Sequence, residues 1–267
     1  MNDGGWDEYA AVLAGLTYLS GGIFWTFLCV FARIFAAISV SSFFPSTDLP
    51  KLFRASLAFI LTIVITPALF KQYPSENSAF TNFAWIFANY IYGFILGYLL
   101  SFPVWIIEAC GNIIDMQRGE QMGSILNPLT GSQSSSIGRL LTRAFLTYFI
   151  IHNGLLYFIN TLYTSFQVIQ FNSISFLLSR QNVENCISMF TKYIYLSVDL
   201  VLPIIVALLL VDLILSLVSS FIQQLNVTVL SMPIKSTIAL LILCICVGDL
   251  FHNVFTKFIS QTKVVLF

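Results

Sequence analysis

Two long stretches of this chain, residues 77–107 and 144–179, contain no Asp, Glu, Lys or Arg. Each stretch is longer than the roughly 20 apolar residues that one helix needs to cross a lipid bilayer. Charged residues make up only 9% of the 267 residues, whereas a typical soluble domain has roughly 25%. The sequence therefore predicts an all-α membrane-type protein rather than a soluble enzyme. Its net charge of zero gives no electrostatic basis for binding nucleic acid.

Hydropathy along the chain predicts about six apolar helical segments arranged as helical hairpins. The first segment, over residues 9–44, is either one tilted helix or two shorter helices with a break at Gly21-Gly22. Residues 180–192 are polar enough to predict a connector, and residues 232–235 predict the end of a segment. Lys and Arg number six on one predicted side and five on the other, so the positive-inside rule does not set the orientation.

Polar residues concentrate in one stretch, residues 108–143, which holds two of the five Glu, one of the seven Asp and three of the six Arg. Its first part continues the preceding apolar helix. Four residues at steps of four, three and four share one narrow face of that helix: Glu108, Asn112, Asp115 and Gly119. Arg118 follows Asp115 by three residues, which is close enough for an ion pair. Asn127-Pro128 then predicts the end of the helix and the start of a loop.

A row of small residues lies in the first uncharged run, where Gly93, Gly97 and Ser101 recur at four-residue spacing. Such a row lets two helix backbones approach closely, and close approach drives helix association where water supplies no hydrophobic force. The alternative is a chance placement of glycines in an apolar helix. In either case the row favours helix packing over ligand binding.

A second polar stripe is predicted near the C-terminal half of the chain. Five residues fall within about 80° on one face of a regular helix: Asp212, Ser216, Ser219, Gln223 and Asn226. Asp199 lies on the same apolar segment, and Pro203 predicts a kink or a restart between them. An Asp inside a membrane needs a partner, a water-filled cavity or another subunit. The alternatives are an Asp satisfied within this chain and an Asp that faces a subunit interface or a conduit.

Other chemistry-bearing residues give no catalytic or metal-binding pattern. Arg33 interrupts the first apolar run, and it is either snorkelling or paired with a carboxylate, or it faces a subunit interface or conduit. The five cysteines have no metal-type spacing and are predicted to be buried, unreactive thiols. His152 is predicted to pack or to lie at an interface. We therefore predict no catalytic residue, no cofactor and no metal.

Two passages together resemble one known family. The first is Gly111-x3-Asp115-Met116-Gln117-Arg118-Gly119, followed by Asn127-Pro128 and a Ser/Gly-rich loop. The second, residues 219–235, matches at five positions: Gln224, Asn226, Pro233, Ile234 and Lys235. Both are similar to the FliR/YscT/SpaR family (SctT in the unified naming), the T-type subunits of the type III secretion and flagellar export apparatus. The chain departs from that pattern at Ser220, where many members have Arg, and at Gln223, where many have Pro.

The resemblance implies a structural role in protein export. Family members assemble with R-type and S-type subunits into a helical portal, through which unfolded proteins cross the bacterial inner membrane. The T-type subunit folds like an R-type and an S-type subunit joined in one chain, and the portal is raised toward the periplasm. The export switch protein, the large export gate and membrane lipid are the further partners implied. The absence of an appended soluble domain favours a virulence-type injectisome over a flagellum.

Three alternatives compete with an export subunit. A stand-alone secondary transporter would use Asp199 and Asp212 as coupling carboxylates, with Pro203 at a broken helix. An intramembrane enzyme would need a nucleophile with a base, or metal ligands, at helical spacing. A plain membrane anchor would not explain two polar stripes. As an export subunit, the chain is predicted to form one domain over residues 1–267: an N-terminal helical part (9–107), the polar motif region (108–143) and C-terminal hairpins (144–267).

Overall fold

The structure is a computed structural model that describes residues 4–45, 49–69, 79–119, 135–170, 180–221 and 227–266. These residues form helices and no strand, so the predicted all-α class is confirmed. The helices are α1 (Gly4–Val40), α2 (Lys51–Leu69), α3 (Ala79–Arg118), α4 (Ser136–Ile151), α5 (Gly154–Val168), α6 (Arg180–Phe221) and α7 (Val227–Leu266). Five of them are long and apolar enough to cross a membrane, or six spans if α4 and α5 count as one bent span. The chain is therefore a multi-pass membrane protein with about the predicted number of segments.

Two predicted helix boundaries are wrong, because α6 already begins at Arg180 and α7 passes through Pro233. Of the two alternatives for the first segment the structure has the single helix, since α1 continues through Gly21-Gly22. Two glycines cost a helix only about 2 kcal/mol, whereas a broken helix in apolar surroundings leaves backbone groups without hydrogen bonds. The same constraint explains why α6 runs through Pro203 without a restart. Apolar surroundings therefore extend these helices past residues that end helices in water.

The turn between α4 and α5 bends the chain by 74°. His152 ends α4, and its backbone N–H donates to the carbonyl oxygen of Tyr148 at 3.1 Å. Asn153 follows with φ of 59°, a left-handed conformation that Asn tolerates better than most residues. The His152 ring stacks on Tyr148 with 3.9 Å between ring centroids. This histidine therefore packs against its own helix, although the residue is exposed.

The chain divides into two compact units. Unit one contains residues 1–101 and 157–183, with α1, α2, the first part of α3 and most of α5. Unit two contains residues 102–156 and 184–265, with the rest of α3, α4, most of α6 and α7. The core of unit two is rich in aromatic rings: Phe145, Phe149, Phe251 and Phe258 are all buried. Phe145 and Phe251 meet edge to face at 5.5 Å and join α4 to α7.

The small-residue row of α3 lies against α1 within unit one. A Cβ atom added at Gly93 would lie 2.0 Å from the carbonyl oxygen of Arg33, and one added at Gly97 would lie 2.4 Å from that of Ala37. The Ser101 hydroxyl donates to the Gly97 carbonyl at 2.7 Å and accepts from the Ser42 backbone N–H at 2.9 Å. The two backbones therefore touch along this row, and only glycine fits at its first two positions.

Arg33 is buried in unit one and contacts groups that the sequence did not indicate. Its Nε and Nη2 atoms donate to Asn89 Oδ1 at 2.9 and 2.6 Å. Its Nη1 atom donates to the backbone carbonyls of Ser165 and Ile169 at 3.2 and 3.0 Å. The Phe166 ring lies 4.2 Å from the guanidinium carbon. Snorkelling is wrong because Arg33 is fully buried, and among the described residues its acceptors are an amide and two carbonyls rather than the predicted carboxylate. The end of α5 lies at this point, and its last carbonyls need donors.

The expectation that the cysteines are buried holds only in part. Cys29 and Cys110 are buried, but Cys244 is exposed and Cys246 is half-buried. These two residues lie in α7, where 33% of the apolar window is buried. The face of α7 that carries Cys244 is thus left open by the described part of the chain. Cys186 lies where no side chain is described.

We predict that Gly93→Ala destabilises the protein, because the added methyl group would overlap the Arg33 carbonyl oxygen. Overpacking of this kind costs about 1–3 kcal/mol. Thermal unfolding of the purified full-length chain in mild detergent would measure the loss. Gly248→Ala is the matched control, since a Cβ atom there would meet nothing within 4 Å. Equal melting temperatures for the two variants would contradict the tight contact between α1 and α3.

Candidate functional site

The candidate site lies in unit two, where α3 ends. Arg118 is the last helical residue, and Gly119 follows with φ of 86°. This left-handed conformation is the usual one just after a helix end, and glycine adopts it without strain. The Gly119 backbone N–H donates to the Met116 carbonyl at 3.2 Å. The end of α3 therefore falls at the predicted polar motif, several residues before Asn127-Pro128.

Asp115 lies near the end of α3, and its carboxylate also contacts the start of α4. Its Oδ1 atom lies 2.6 Å from Arg118 Nε. Its Oδ2 atom accepts from the Ile137 backbone N–H at 2.9 Å and from the Ser135 hydroxyl. The Ser135 side chain caps α4 by accepting from the Gly138 N–H at 2.8 Å. A carboxylate at a helix N-terminus is stabilised by the helix dipole and by donors that the helix itself leaves unpaired.

Two glycines allow Asp115 to reach the start of α4. A Cβ atom at Gly111 would lie 2.3 Å from the Cα atom of Gly138, so the two backbones are in contact there. Gly111 precedes Asp115 by one helical turn and Gly138 follows the α4 cap. Any larger residue at position 111 would push α4 away from the carboxylate. This contact gives a physical reason for the glycine that opens the first family-like passage.

Two cations tie the end of α3 to α6 and α7. Arg118 Nη1 donates to the Ser236 hydroxyl at 3.0 Å. Lys235 Nζ forms an ion pair with Asp212 of α6 and lies 3.5 Å from the Gln117 carbonyl oxygen. Positive charge near a helix C-terminus is favourable, because the last carbonyls of the helix carry partial negative charge. We call this set the α3-end network; it consists of Asp115, Arg118, Ser135, Asp212, Lys235 and Ser236.

The α3-end network brings together residues from both family-like passages. Asp115 and Arg118 come from the first, and Lys235 comes from the end of the second. Asp212 is satisfied by Lys235 within this chain, which was one of the two alternatives for that residue. Sequence reasoning missed Ser135, although a serine just before an amphipathic helix is a capping signal. No pattern in the sequence pointed to Ser236.

Other predicted site residues are not members of the network. Glu108, Asn112, Asp199 and Pro233 are exposed, although Asn112 lies beside the start of α4, where a Cβ atom added at Gly138 would be 2.8 Å from its Oδ1 atom. Asn127, Pro128, Gln224 and Asn226 lie outside the described residues. Asp199 and Asp212 are 13 residues apart on α6, or about 20 Å along the helix axis. Among the described residues, no three His, Cys, Asp or Glu side chains form a group that could hold a metal ion.

These features define a class: a multi-pass all-α membrane protein with a buried charged network. The network lies at the end of α3, where α4, α6 and α7 meet that end. The match to known proteins is more specific. The model of the family "Bacterial export proteins, family 1" matches residues 24–262, which is most of the chain. This protein therefore belongs to that family of bacterial export proteins, and the resemblance drawn from the two passages is confirmed.

Curated relatives come from secretion systems and from a flagellum. The chain is 35% identical over 202 residues to the "Yop proteins translocation protein T" of Yersinia pestis, which covers 75% of this chain and 77% of the relative. It is 29% identical over 205 residues to the "Secretion system apparatus protein SsaT" of Salmonella typhimurium, over 76% and 78% of the two chains. It is 26% identical over 248 residues to the "Flagellar biosynthetic protein FliR" of Bacillus subtilis, over 91% and 95%.

We predict that Asp115→Ala destabilises the protein strongly. The substitution removes the ion pair with Arg118 and the acceptor for the Ile137 N–H in a site where the Asp is only 4% exposed. Breaking a buried ion pair by removing one partner costs about 3–5 kcal/mol. Thermal unfolding in detergent and the steady-state amount of protein in membranes would report the loss. Asp115→Asn should cost less, since it keeps an acceptor for Ile137.

Asp249→Ala is the matched control for Asp115→Ala, because it removes an exposed carboxylate from the same unit. It should leave the melting temperature within about a degree of the parent value, as surface substitutions usually do. If Asp115→Ala melts like Asp249→Ala, and the variant assembles and secretes normally, the network has no structural importance.

We further predict that Lys235→Ala destabilises the protein more than Asp212→Ala. The Asp212 side chain is 38% exposed, so its loss should cost at most about 1 kcal/mol. Lys235 also faces the Gln117 carbonyl, and its removal weakens a second contact at the end of α3. Thermal unfolding of the two single variants and the double variant would give the order and the coupling energy. The reverse order would show that Lys235 serves Asp212 alone.

Proposed function

We propose that this protein is the T-type subunit of a type III secretion export apparatus. In this proposal it forms, with R-type and S-type subunits, the portal through which unfolded proteins cross the bacterial inner membrane. Family membership and the names of the relatives support the proposal, since translocation and secretion proteins of pathogens stand among them. The higher identity to the Yersinia protein than to the Bacillus flagellar protein favours an injectisome.

The observation that carries the proposal is the length of the exposed apolar surface. On α6 large apolar residues are exposed at intervals all the way from Ile187 to Phe221, a candidate span of 35 residues. At 1.5 Å per residue this span extends about 50 Å, whereas the hydrocarbon core of a bilayer is about 30 Å thick. Fitting its whole length into lipid would need a tilt above about 50°, beyond the observed range of transmembrane helices.

Part of this apolar surface must therefore be buried against something other than lipid. Neighbouring subunits of a portal would bury it. Helices α3 and α7 are each 40 residues long, so about 60 Å, which is also longer than the hydrocarbon core is thick. A portal raised out of the inner membrane toward the periplasm accounts for helices of this length. Their apolar faces would then meet lipid along one part and protein along the rest.

Exposed polar residues within the apolar helices support the same assignment. Asp199 and Glu108 are exposed on α6 and α3, and both lie within candidate membrane spans. A carboxylate in such surroundings needs a polar neighbour or water. We assign Glu108, Asn112 and Asp199 to subunit contacts or to the conduit, with the α3-end network as the scaffold beside them. Export switch and gate proteins are the further partners in this proposal.

A stand-alone transporter finds less support. It would use Asp199 and Asp212 as coupling carboxylates, yet Asp212 is paired with Lys235. Asp199 lies about 20 Å away along the same helix, so the two carboxylates do not share one site. We propose no catalytic activity for this chain.

The decisive experiment is purification of the tagged full-length protein from its own cell in mild detergent, followed by mass spectrometry of the proteins that copurify. We expect two other small apolar export proteins in one stable particle. Asp115→Ala should lower the yield of this particle, and Asp249→Ala should not. A monomer or homodimer without such partners, even after chemical crosslinking, would overturn the proposal and favour a transporter.

A further inference from the structure

A row of aromatic rings on the outer face of α3 has no role in the polar site described above. Its six members lie in unit one at spacings of three, four, three, four and four: Phe80, Phe83, Phe87, Tyr90, Phe94 and Tyr98. They are between 41% and 80% exposed. Between positions 80 and 98 the remaining residues are buried or half-buried, except Thr81. We call these six residues the aromatic seam.

The spacing of the aromatic seam is that of a helix–helix contact. Alternating steps of three and four residues keep side chains on one line when two helices pack with a small crossing angle. The seam extends over 18 residue steps, or about 27 Å of helix. About a quarter turn around α3 from the seam, Gly93 and Gly97 hold the helix against the backbone of α1. Helix α3 is thus fixed within unit one while it presents one narrow line of rings.

The shape of this surface differs from that of the broad apolar face of α6. On α6 large exposed residues stand next to each other in sequence, as at Leu209-Leu210 and Leu213-Ile214, so they cover a wide arc. In the seam no two exposed rings are adjacent in sequence. Lipid tails set no such period, and aromatic residues that anchor a helix in lipid collect at its two interfaces rather than along its length. The seam therefore fits one helix better than it fits lipid.

The size of the seam is sufficient for a stable contact. Aromatic side chains bury about 150–250 Å² each when fully covered, so six rings at these exposures offer roughly 600–700 Å². A standard interface buries about 800 Å² on each partner, so the seam supplies most of the area that such an interface needs. Large rings in a row need a facing helix with small residues, because bulky side chains on both helices would hold the backbones apart.

We propose that the aromatic seam docks an apolar helix of another export-apparatus chain, one that presents Gly, Ala or Ser at heptad spacing. The proposal rests on the proposed function, since it takes its partner from the portal. The rings act as knobs that insert between small residues of the partner helix. The Phe94 and Tyr98 rings already stack on each other with 6.4 Å between centroids, so this end of the seam is ordered before the partner binds.

The experiment places a benzophenone-bearing phenylalanine at one position at a time in the full-length chain within its own cell. Positions 83, 87 and 94 test the seam, and Ile91 and Ile95 are half-buried controls on the same helix. After irradiation, the particle is purified and the adducts are identified by mass spectrometry. We expect one defined export protein to be joined at the three seam positions, at least fivefold more than at either control. The joined segment should carry small residues at heptad spacing.

A second measurement uses substitutions that keep the surface apolar. Phe80→Leu with Phe87→Leu should lower recovery of the partner at least tenfold, because leucine changes the shape of the knobs while lipid solvates both residues well. An intact particle with adducts to lipid alone, or to a second copy of this chain, would overturn the seam proposal only. Absence of any particle in the parent protein would overturn the proposed function and this proposal together.

Discussion

In this protein buried charged side chains form hydrogen bonds with backbone groups at the ends of helices, and the rest of the structure depends on these hydrogen bonds. Arg33 donates to carbonyls at the end of α5, and Lys235 faces a carbonyl at the end of α3. Asp115 accepts from the Ile137 N–H at the start of α4. Each charge thus has the sign that the helix dipole favours. In apolar surroundings a charge and an unpaired helix end are both costly, so the two costs are removed by one contact.

This rule gives unit two its organisation. The end of α3 would leave several carbonyls unpaired, and two of them accept from Lys235 and the Gly119 N–H. The start of α4 would leave several N–H groups unpaired, and two of them donate to Asp115 and Ser135. Because Lys235 and Ser236 reach the same place from α7, the fixed point of the unit is polar although its core is aromatic. Hydrophobic packing has no preferred direction, whereas hydrogen bonds and ion pairs fix the register of α3, α4 and α7 against one another.

The sequence predicted some of these features and missed others for physical reasons. The all-α class, the number of apolar segments and the spacing of Asp115 and Arg118 all follow from local patterns. The partners of Arg33 do not, since Asn89 is 56 residues away and the carbonyl of Ile169 is 136 residues away. Every residue type carries a backbone carbonyl, so no sequence pattern indicates which carbonyl will accept from Arg33. Of the two alternatives at Gly21-Gly22 the unbroken helix forms, because helix propensity measured in water overstates the cost of glycine where the backbone has no alternative partner.

The Arg33 contact has a consequence for which substitutions the protein can accept. Two of its acceptors are main-chain carbonyls, at Ser165 and Ile169, and only Asn89 contributes a side chain. Every residue type carries the same carbonyl, so exchanging the side chain at position 169 leaves that acceptor in place. Positions 33 and 89 have no such freedom, because an amide oxygen and a planar guanidinium are both required. We therefore expect related chains to vary more at the end of α5 than at positions 33 and 89.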